Sequence, residues 1–281
     1  MIILRTIAQT TQQVGFLRKE GKTIGFVPTM GALHQGHIAL IESARRQSDV
    51  VVCSIFVNPI QFNNPVDLQR YPRTEEADLN MLGEAGCHIV FIPAVEEIYP
   101  EPVTDTYDFG YLDKVMEGAF RPGHFNGVSV VVKRLFDIIR PDLAFFGEKD
   151  FQQLTVIRAM VIKSDLPVQI VACPTIREAN GLAMSSRNLR LTQENRAIAG
   201  NIYRILTEAS RMAPQATPEK ITEWVYHQIQ AYPEMQIEYF SLCDSETLLP
   251  VDAWQPGKPA RGCIAVYIGG VRLIDNVEFG G

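Results

Sequence analysis

The sequence predicts an α/β protein: a Rossmann-like, doubly wound parallel sheet, followed in the chain by a second, smaller α+β domain. Three observations carry that expectation. Short β-rich apolar runs alternate with helical patterns as far as residue 171, a glycine- and histidine-bearing turn follows the first of the runs, and the patterning changes near Thr175.

In chain order, strands are predicted at 23–27, 50–56, 88–92, 143–146 and 168–171, and helices between them at 38–47, 75–85, 128–139 and 151–164. Strands alternating with helices bury best as a parallel sheet covered on both faces. Ligands of such folds bind beyond the carboxyl ends of the strands. After Thr175 the pattern becomes one helix from an N-cap at Thr192 to about Arg211 and another from Thr217, with Pro218 at its first position. Strand-like runs at 236–243 and 263–271 complete a small α+β domain. The expected division is residues 1–176 and residues 177–281, with a hinge around 174–188.

Composition narrows the classes. The 281 residues carry 26 Lys+Arg against 32 Asp+Glu, a formal net charge of −6, with 46% hydrophobic and 21% charged residues. This excludes disordered, collagen-like and coiled-coil classes. A nucleic-acid partner is not expected, because duplex binding draws on a clustered basic excess and no such cluster occurs. The most apolar stretch, Val50-Val-Val-Cys-Ser-Ile-Phe-Val57, is far short of the ~18 residues of a membrane span. The opening Met-Ile-Ile-Leu-Arg-Thr-Ile lacks a signal-peptide core, so a cytoplasmic location is expected. Five cysteines without C-x-x-C spacing read as reduced, buried thiols.

The segment Gly25-Phe-Val-Pro-Thr-Met-Gly-Ala-Leu-His-Gln-Gly-His37 carries most of the chemistry. Its strand stops at Pro28, Gly31 and Gly36 let the backbone approach a ligand, and a helix begins near Gly36. Such a turn is expected to aim free N–H groups at an anion. His34 and His37, three apart, share a helix face and can stabilise charge growing on a phosphate. A zinc site would need a third ligand that the spacing does not provide. Gly21-Lys22-Thr23 is not a P-loop end, because Gly15 lies six residues before Gly21 where the motif wants five, and no G-x-G-x-x-G occurs.

Other segments are weaker alone. Phe145-Phe-Gly-Glu-Lys-Asp-Phe-Gln-Gln153 opens a helix with Lys149, a position the helix dipole disfavours unless the lysine meets an anion. In Met184-Ser-Ser-Arg-Asn188, two hydroxyls stand beside the mobile charge of Arg187. Gln61, in Asn58-Pro-Ile-Gln-Phe62, can donate its amide to a carboxylate or hydroxyl. Arg121-Pro-Gly-His-Phe-Asn-Gly127 reads as a mobile turn. Asp67, Glu75, Glu76 and Asp78 read as solvated surface, with Asp78 a weak candidate near bound magnesium.

Taken in order, these stretches together with Tyr71-Pro-Arg73 resemble one family over nearly the whole chain: the pantoate-β-alanine ligases (pantothenate synthetases) of the HIGH-motif nucleotidyltransferase superfamily. The resemblance implies ATP-dependent condensation of pantoate with β-alanine through a pantoyl-adenylate, in a cytoplasmic homodimer using magnesium. It implies ATP contacts from Met30, Gly31, Ala32, Leu33, His34, Gln35, Gly36 and His37. Gly147, Glu148, Lys149, Asp150, Ile176, Met184, Ser185, Ser186 and Arg187 would complete the nucleotide site. His37, His34 and Lys149 would be catalytic, and Gln61 and Gln153 would hold pantoate. Two rivals are an adenylyltransferase acting on a phosphate-bearing substrate, which releases no AMP, and a nucleotide-sensing module, which makes no pyrophosphate. Ala183, where aminoacyl-tRNA synthetases carry lysine, and the absence of length for an anticodon-binding domain turn the resemblance away from those enzymes.

Overall fold

The computed structural model describes residues 1–63, 65–213 and 215–280. Gly281, the last residue of the second predicted domain, lies outside them. The chain divides into two compact units: Met1–Glu148 with Gln153–Pro174, and Lys149–Gln152 with the chain from Thr175 onward. The short segment Lys149–Gln152 thus groups with the later part of the chain, whereas the sequence places a single boundary after residue 176.

The first unit is built on a parallel sheet of six strands: β1 (Ile2–Leu4), β2 (Ile24–Thr29), β3 (Val50–Ile55), β4 (Ile89–Phe91), β5 (Leu143–Gly147) and β6 (Gln169–Cys173), in the order β1-β4-β3-β2-β5-β6. Alternation within the strands sorts side chains to two faces. Ile24, Phe26, Val50 and Val52 pack in one core with Val128, Val131, Val132, Leu135 and Phe136 of the helix His124–Ile139. Val27, Val51, Cys53 and Ile55 pack in the other with Leu40, Ile41 and Ala44 of the helix Gln35–Gln47. Both faces being covered explains why the strands read as continuous apolar runs.

The expectation of five strands was one short. β1 is three residues at the sheet edge, paired Ile2↔Ile89 to Leu4↔Phe91, too short to show a period. The helix Ile7–Lys19 also went unread, although Thr6 and Gln9 form a capping box visible in the sequence. β6 runs to Cys173, beyond the predicted end. The supposed mobile turn at 121–127 is half helix: Gly123, at φ +80°, ends the turn, and the helix His124–Ile139 begins directly after it.

In the second unit an antiparallel sheet of β7 (Met235–Asp244), β8 (Ala260–Ile268) and β9 (Val271–Phe279) packs with helices Asn201–Met212 and Pro218–Gln230. Two predictions change. The run 263–271 is not one strand but the end of β8 and the start of β9, joined by Gly269 and Gly270, both at positive φ. That Gly-Gly pair between apolar runs is a readable hairpin signal. The helix predicted from Thr192 to Arg211 is two helices, Gln193–Ala199 and Asn201–Met212. They part at Gly200, because the Asn180 side chain takes the carbonyl of Arg196 at 2.8 Å and a Cβ on Gly200 would lie 2.6 Å from the Asn180 carbonyl oxygen.

Candidate active site

The strand order reverses beside β2: the chain runs outward through β3 and β4, then returns to β5 on β2's other side. Because β2 and β5 are parallel neighbours, paired at Gly25↔Leu143 and Phe26↔Ala144, their carboxyl ends open on the same crevice. The chain leaves β2 into Met30–His37 and leaves β5 at Gly147 into Glu148.

His34 is the N-cap of the helix Gln35–Gln47, and its Nδ1 accepts the Gly36 N–H at 3.1 Å. His37 Nδ1 accepts the His34 N–H at 3.3 Å, which closes a capping box made of two imidazoles. The rings lie 4.1 Å apart between centroids. An Nδ1 that accepts a main-chain N–H carries no proton, so the hydrogen bonds assign the Nε2–H tautomer to both neutral rings. Each imidazole is thereby made a donor at Nε2.

The main chain of this turn behaves differently from the sequence expectation of free N–H groups aimed at an anion. The Gly31 N–H donates to Thr29 Oγ1 at 3.2 Å, and those of Ala32 and Leu33 donate to Asp78 Oδ2 and Oδ1 at 3.0 and 2.7 Å. Those of His37 and Ile38 reach the His34 carbonyl. Five donors are therefore satisfied within the protein, because the loop curls inward through two left-handed residues, Gly31 (φ +78°) and Ala32 (φ +49°). Asp78, expected on solvated surface, is 1% exposed and holds that curl. Its two carboxylate oxygens accept from these amides.

Gln61 ends a short 3-10 turn, Pro59–Gln61, after β3. Asn58 Nδ2 donates to Gln61 Oε1 at 3.0 Å and to the Gly127 carbonyl at 3.1 Å, while Tyr99 Oη donates to Asn58 Oδ1 at 2.7 Å. Burial pushes the Tyr99 phenol well above its ordinary value, which keeps it a donor. With its oxygen engaged, Gln61 offers its NH2 group, and Nε2 lies 3.1 Å from the Met30 sulfur. From the other side, His124 Nδ1 meets the Gln61 carbonyl at 2.9 Å and Arg121 meets His124 Nε2 at 3.2 Å, with Glu117 3.7 Å from Arg121. Asn58 and His124, at 1% and 6% exposure, are the buried side chains that brace Gln61, a part that sequence reasoning did not assign to them. A polar residue three before Gln61 in an apolar context was the only available signal.

In the second unit, Lys149 lies 3.7 Å from Asp150, and its carbonyl accepts from Asn276 Nδ2 at 3.0 Å. Ile176 and Met184 are brought together: the Met184 N–H donates to the Ile176 carbonyl at 2.9 Å, beside a bridge between Arg177 and Ala183. Ser185 caps the 3-10 segment Ser186–Arg190 by accepting the Arg187 N–H at 3.3 Å, and Asn188 Nδ2 braces the Ala183 carbonyl at 3.0 Å. The stretch is stapled from behind by Arg177, whose guanidinium bonds both carboxylate oxygens of Asp275 and stacks 3.5 Å over the Tyr203 ring. Gln153, of the first unit, is half-buried in the first turn of the helix Phe151–Lys163.

A parallel α/β sheet with a histidine-capped helix at its switch point defines an α/β protein of the kind that takes its ligand beyond the carboxyl ends of the strands. The family model for pantoate-beta-alanine ligase matches residues 2–278. A pantothenate synthetase of Porphyromonas gingivalis is 56% identical over 279 residues, covering 99% of each chain, and one of Bacteroides thetaiotaomicron is 46% identical with the same coverage. A crystal structure of pantothenate synthetase from Thermus thermophilus superimposes with a TM-score of 0.93 at 43% identity, covering 100% of both chains. That of the Francisella tularensis pantoate-beta-alanine ligase, complexed with beta-gamma ATP and beta-alanine, does so with 0.82 at 37% identity, covering 99% of this chain and 97% of that one. The chain belongs to the pantoate-β-alanine ligase family.

Proposed function

We propose that this chain catalyses the ATP-dependent condensation of pantoate with β-alanine, giving pantothenate, AMP and pyrophosphate through a pantoyl-adenylate. The observation that carries the reading is the double-imidazole cap at the carboxyl end of β2, which holds two Nε2–H donors at the switch point of the sheet. Family membership over residues 2–278 supports it.

In this reading the pantoate carboxylate attacks the α-phosphorus in line, the bond to pyrophosphate breaks, and charge builds on the phosphoryl oxygens. His37, His34 and Lys149 stabilise that charge. No protein nucleophile is required, so positioning and electrostatics dominate. Gln61 and Gln153 orient pantoate; the rigid Asn58–Gln61 pair fixes which end of the Gln61 amide donates. Met30, Gly31, Ala32, Leu33, Gln35, Gly36, Gly147, Glu148, Asp150, Ile176, Met184, Ser185, Ser186 and Arg187 shape the nucleotide site. The β-alanine amine then attacks the acyl carbonyl, and AMP leaves with its bridging oxygen.

Magnesium enters as part of Mg·ATP, the substrate. Among the described residues no group of three or more His, Cys, Asp or Glu side chains is placed to hold a metal ion. A homodimer and a cytoplasmic location belong to the same proposal; among the described residues no helix is long and apolar enough to cross a membrane.

The test is an omission experiment with ATP, magnesium, pantoate and β-alanine, following AMP and pyrophosphate. AMP is expected only with all components, and pyrophosphate only when pantoate is present. Pyrophosphate release that does not depend on pantoate would overturn the reading.

A further inference from the structure

We infer that Asp78 is a positioning residue for the nucleotide-binding turn: it takes the main-chain donors of that turn and thereby hands the phosphates to the imidazoles. The inference rests on the function proposed above and concerns how the same site is held. Asp78 lies on the helix Glu75–Glu84, remote in sequence from the turn it serves. Its two oxygens accept from the consecutive amides of Ala32 and Leu33 and from the Thr74 hydroxyl at 3.2 Å.

Consecutive amides converge on one group only if the backbone turns sharply, and here it does so through Gly31 and Ala32, both left-handed. Ala32 pays a steric cost in that region that glycine does not. Such a conformation persists where the surroundings over-determine it. The Asp78 carboxylate is what over-determines it. Contact is so close that a Cβ on Gly31 would lie 3.0 Å from Asp78 Oδ2.

The consequence is chemical. At an ordinary anion-binding helix N-terminus the loop amides bind the phosphate. Here the amides of Ala32 and Leu33 are committed to a buried carboxylate. The same inward curl sets the entry of the chain into His34, and so the aim of both rings. Asp78 touches no reacting atom in this scheme; it acts through the turn.

Two variants test this. Asp78→Ala removes both acceptors. Asp78→Asn keeps the shape but presents an NH2 group to one of the two amides. Both are expected to lower the single-turnover rate of pantoyl-adenylate formation about 100-fold, the effect of a shift near 1 Å in an aligned site. The KM for ATP should rise while the KM for pantoate stays close to wild type, and the thermal midpoint of Asp78→Asn should fall less than that of Asp78→Ala, because one of the two acceptors is kept. In the wild-type protein, hydrogen exchange at the Ala32 and Leu33 amides should be slow. Unchanged adenylation in both variants, an equal loss of ATP and pantoate recognition, or fast exchange at the two amides would overturn the inference. A wild-type protein without pantoate-dependent pyrophosphate release would instead overturn the proposed function, so the two failures are distinguishable.

Discussion

Gly127 is where the helix His124–Ile139 lets the loop carrying Gln61 come close, and replacing it with alanine probes that contact directly. A Cβ there would lie 2.4 Å from the Ile60 carbonyl oxygen and 2.7 Å from Gln61 Cα. Both are backbone atoms, so no side chain can swing away; the loop must retreat by about 1 Å to reach ordinary contact. Overpacking of this kind costs about 1–3 kcal/mol, of which the better helix propensity of alanine recovers up to about 1 kcal/mol. Stability therefore falls modestly, whereas catalysis falls steeply. The same movement draws Gln61 away from His124 and Asn58 away from the Gly127 carbonyl, and a 1 Å misplacement in an aligned site costs roughly 100-fold in rate. Single-turnover pyrophosphate release, measured against pantoate concentration, should show that loss, with a higher pantoate KM and an unchanged KM for ATP. Gly15→Ala, in a helix where nothing lies within 4 Å of the new methyl group, is the control and should leave the rate unchanged. If Gly127→Ala kept both the rate and the pantoate KM, the placement of Gln61 in the site would be wrong.

Three further outcomes are expected. His37→Ala should slow adenylation by ~10²–10³, the usual cost of removing one transition-state donor, with the fold retained by circular dichroism; an unchanged rate would remove His37 from the mechanism. Arg177→Ala should cost about 3–5 kcal/mol in urea unfolding, because it strands the buried Asp275 carboxylate, and a loss near zero would show that the pair contributes nothing net. Partial desolvation of the His88 ring, whose Nδ1 accepts the Val51 N–H at 3.0 Å, and the nearby Arg45 hold its pKa below the ordinary 6.5. The folded state then binds fewer protons than the unfolded chain, so His88's contribution to stability is full above pH 6.5 and is lost as pH falls through the lower, folded-state pKa. Urea midpoints one pH unit either side of 6.5 should differ more for the wild type than for His88→Gln; equal slopes would refute the assignment.

Much of the molecule was legible in its sequence because the relevant signals are local. The apolar runs of β2 and β3, buried on both faces, read as strands without any knowledge of their partners, and the histidine spacing placed both rings on one helix end. Where reading failed, the signal was either short or shared with another interpretation. β1 has three residues, too few for a period, and Gly269-Gly270 was passed over inside what looked like one apolar run. Gly200 broke a helix because of Asn180, and no pattern within the helix itself carries that information.

The sequence alone determined the alternation of strands and helices, the two-part division of the chain in outline, and the residue types able to meet an anion. Those follow from side-chain periodicity and backbone chemistry, which act over a few residues. Only the tertiary structure decided which donors remain for a ligand. The amides of Ala32 and Leu33 are claimed by Asp78, the Gln61 carbonyl is met by His124, and Asn58, which holds the Gln61 side chain within their shared loop, is tied to the Gly127 carbonyl; all but the Asn58–Gln61 bond join remote segments. A buried polar group must find a partner wherever the fold brings one, and that partner's place in the chain leaves no periodic trace. Within the acidic run expected on solvated surface, Glu75 and Glu76 are exposed, whereas Asp78 is buried and holds the turn after β2.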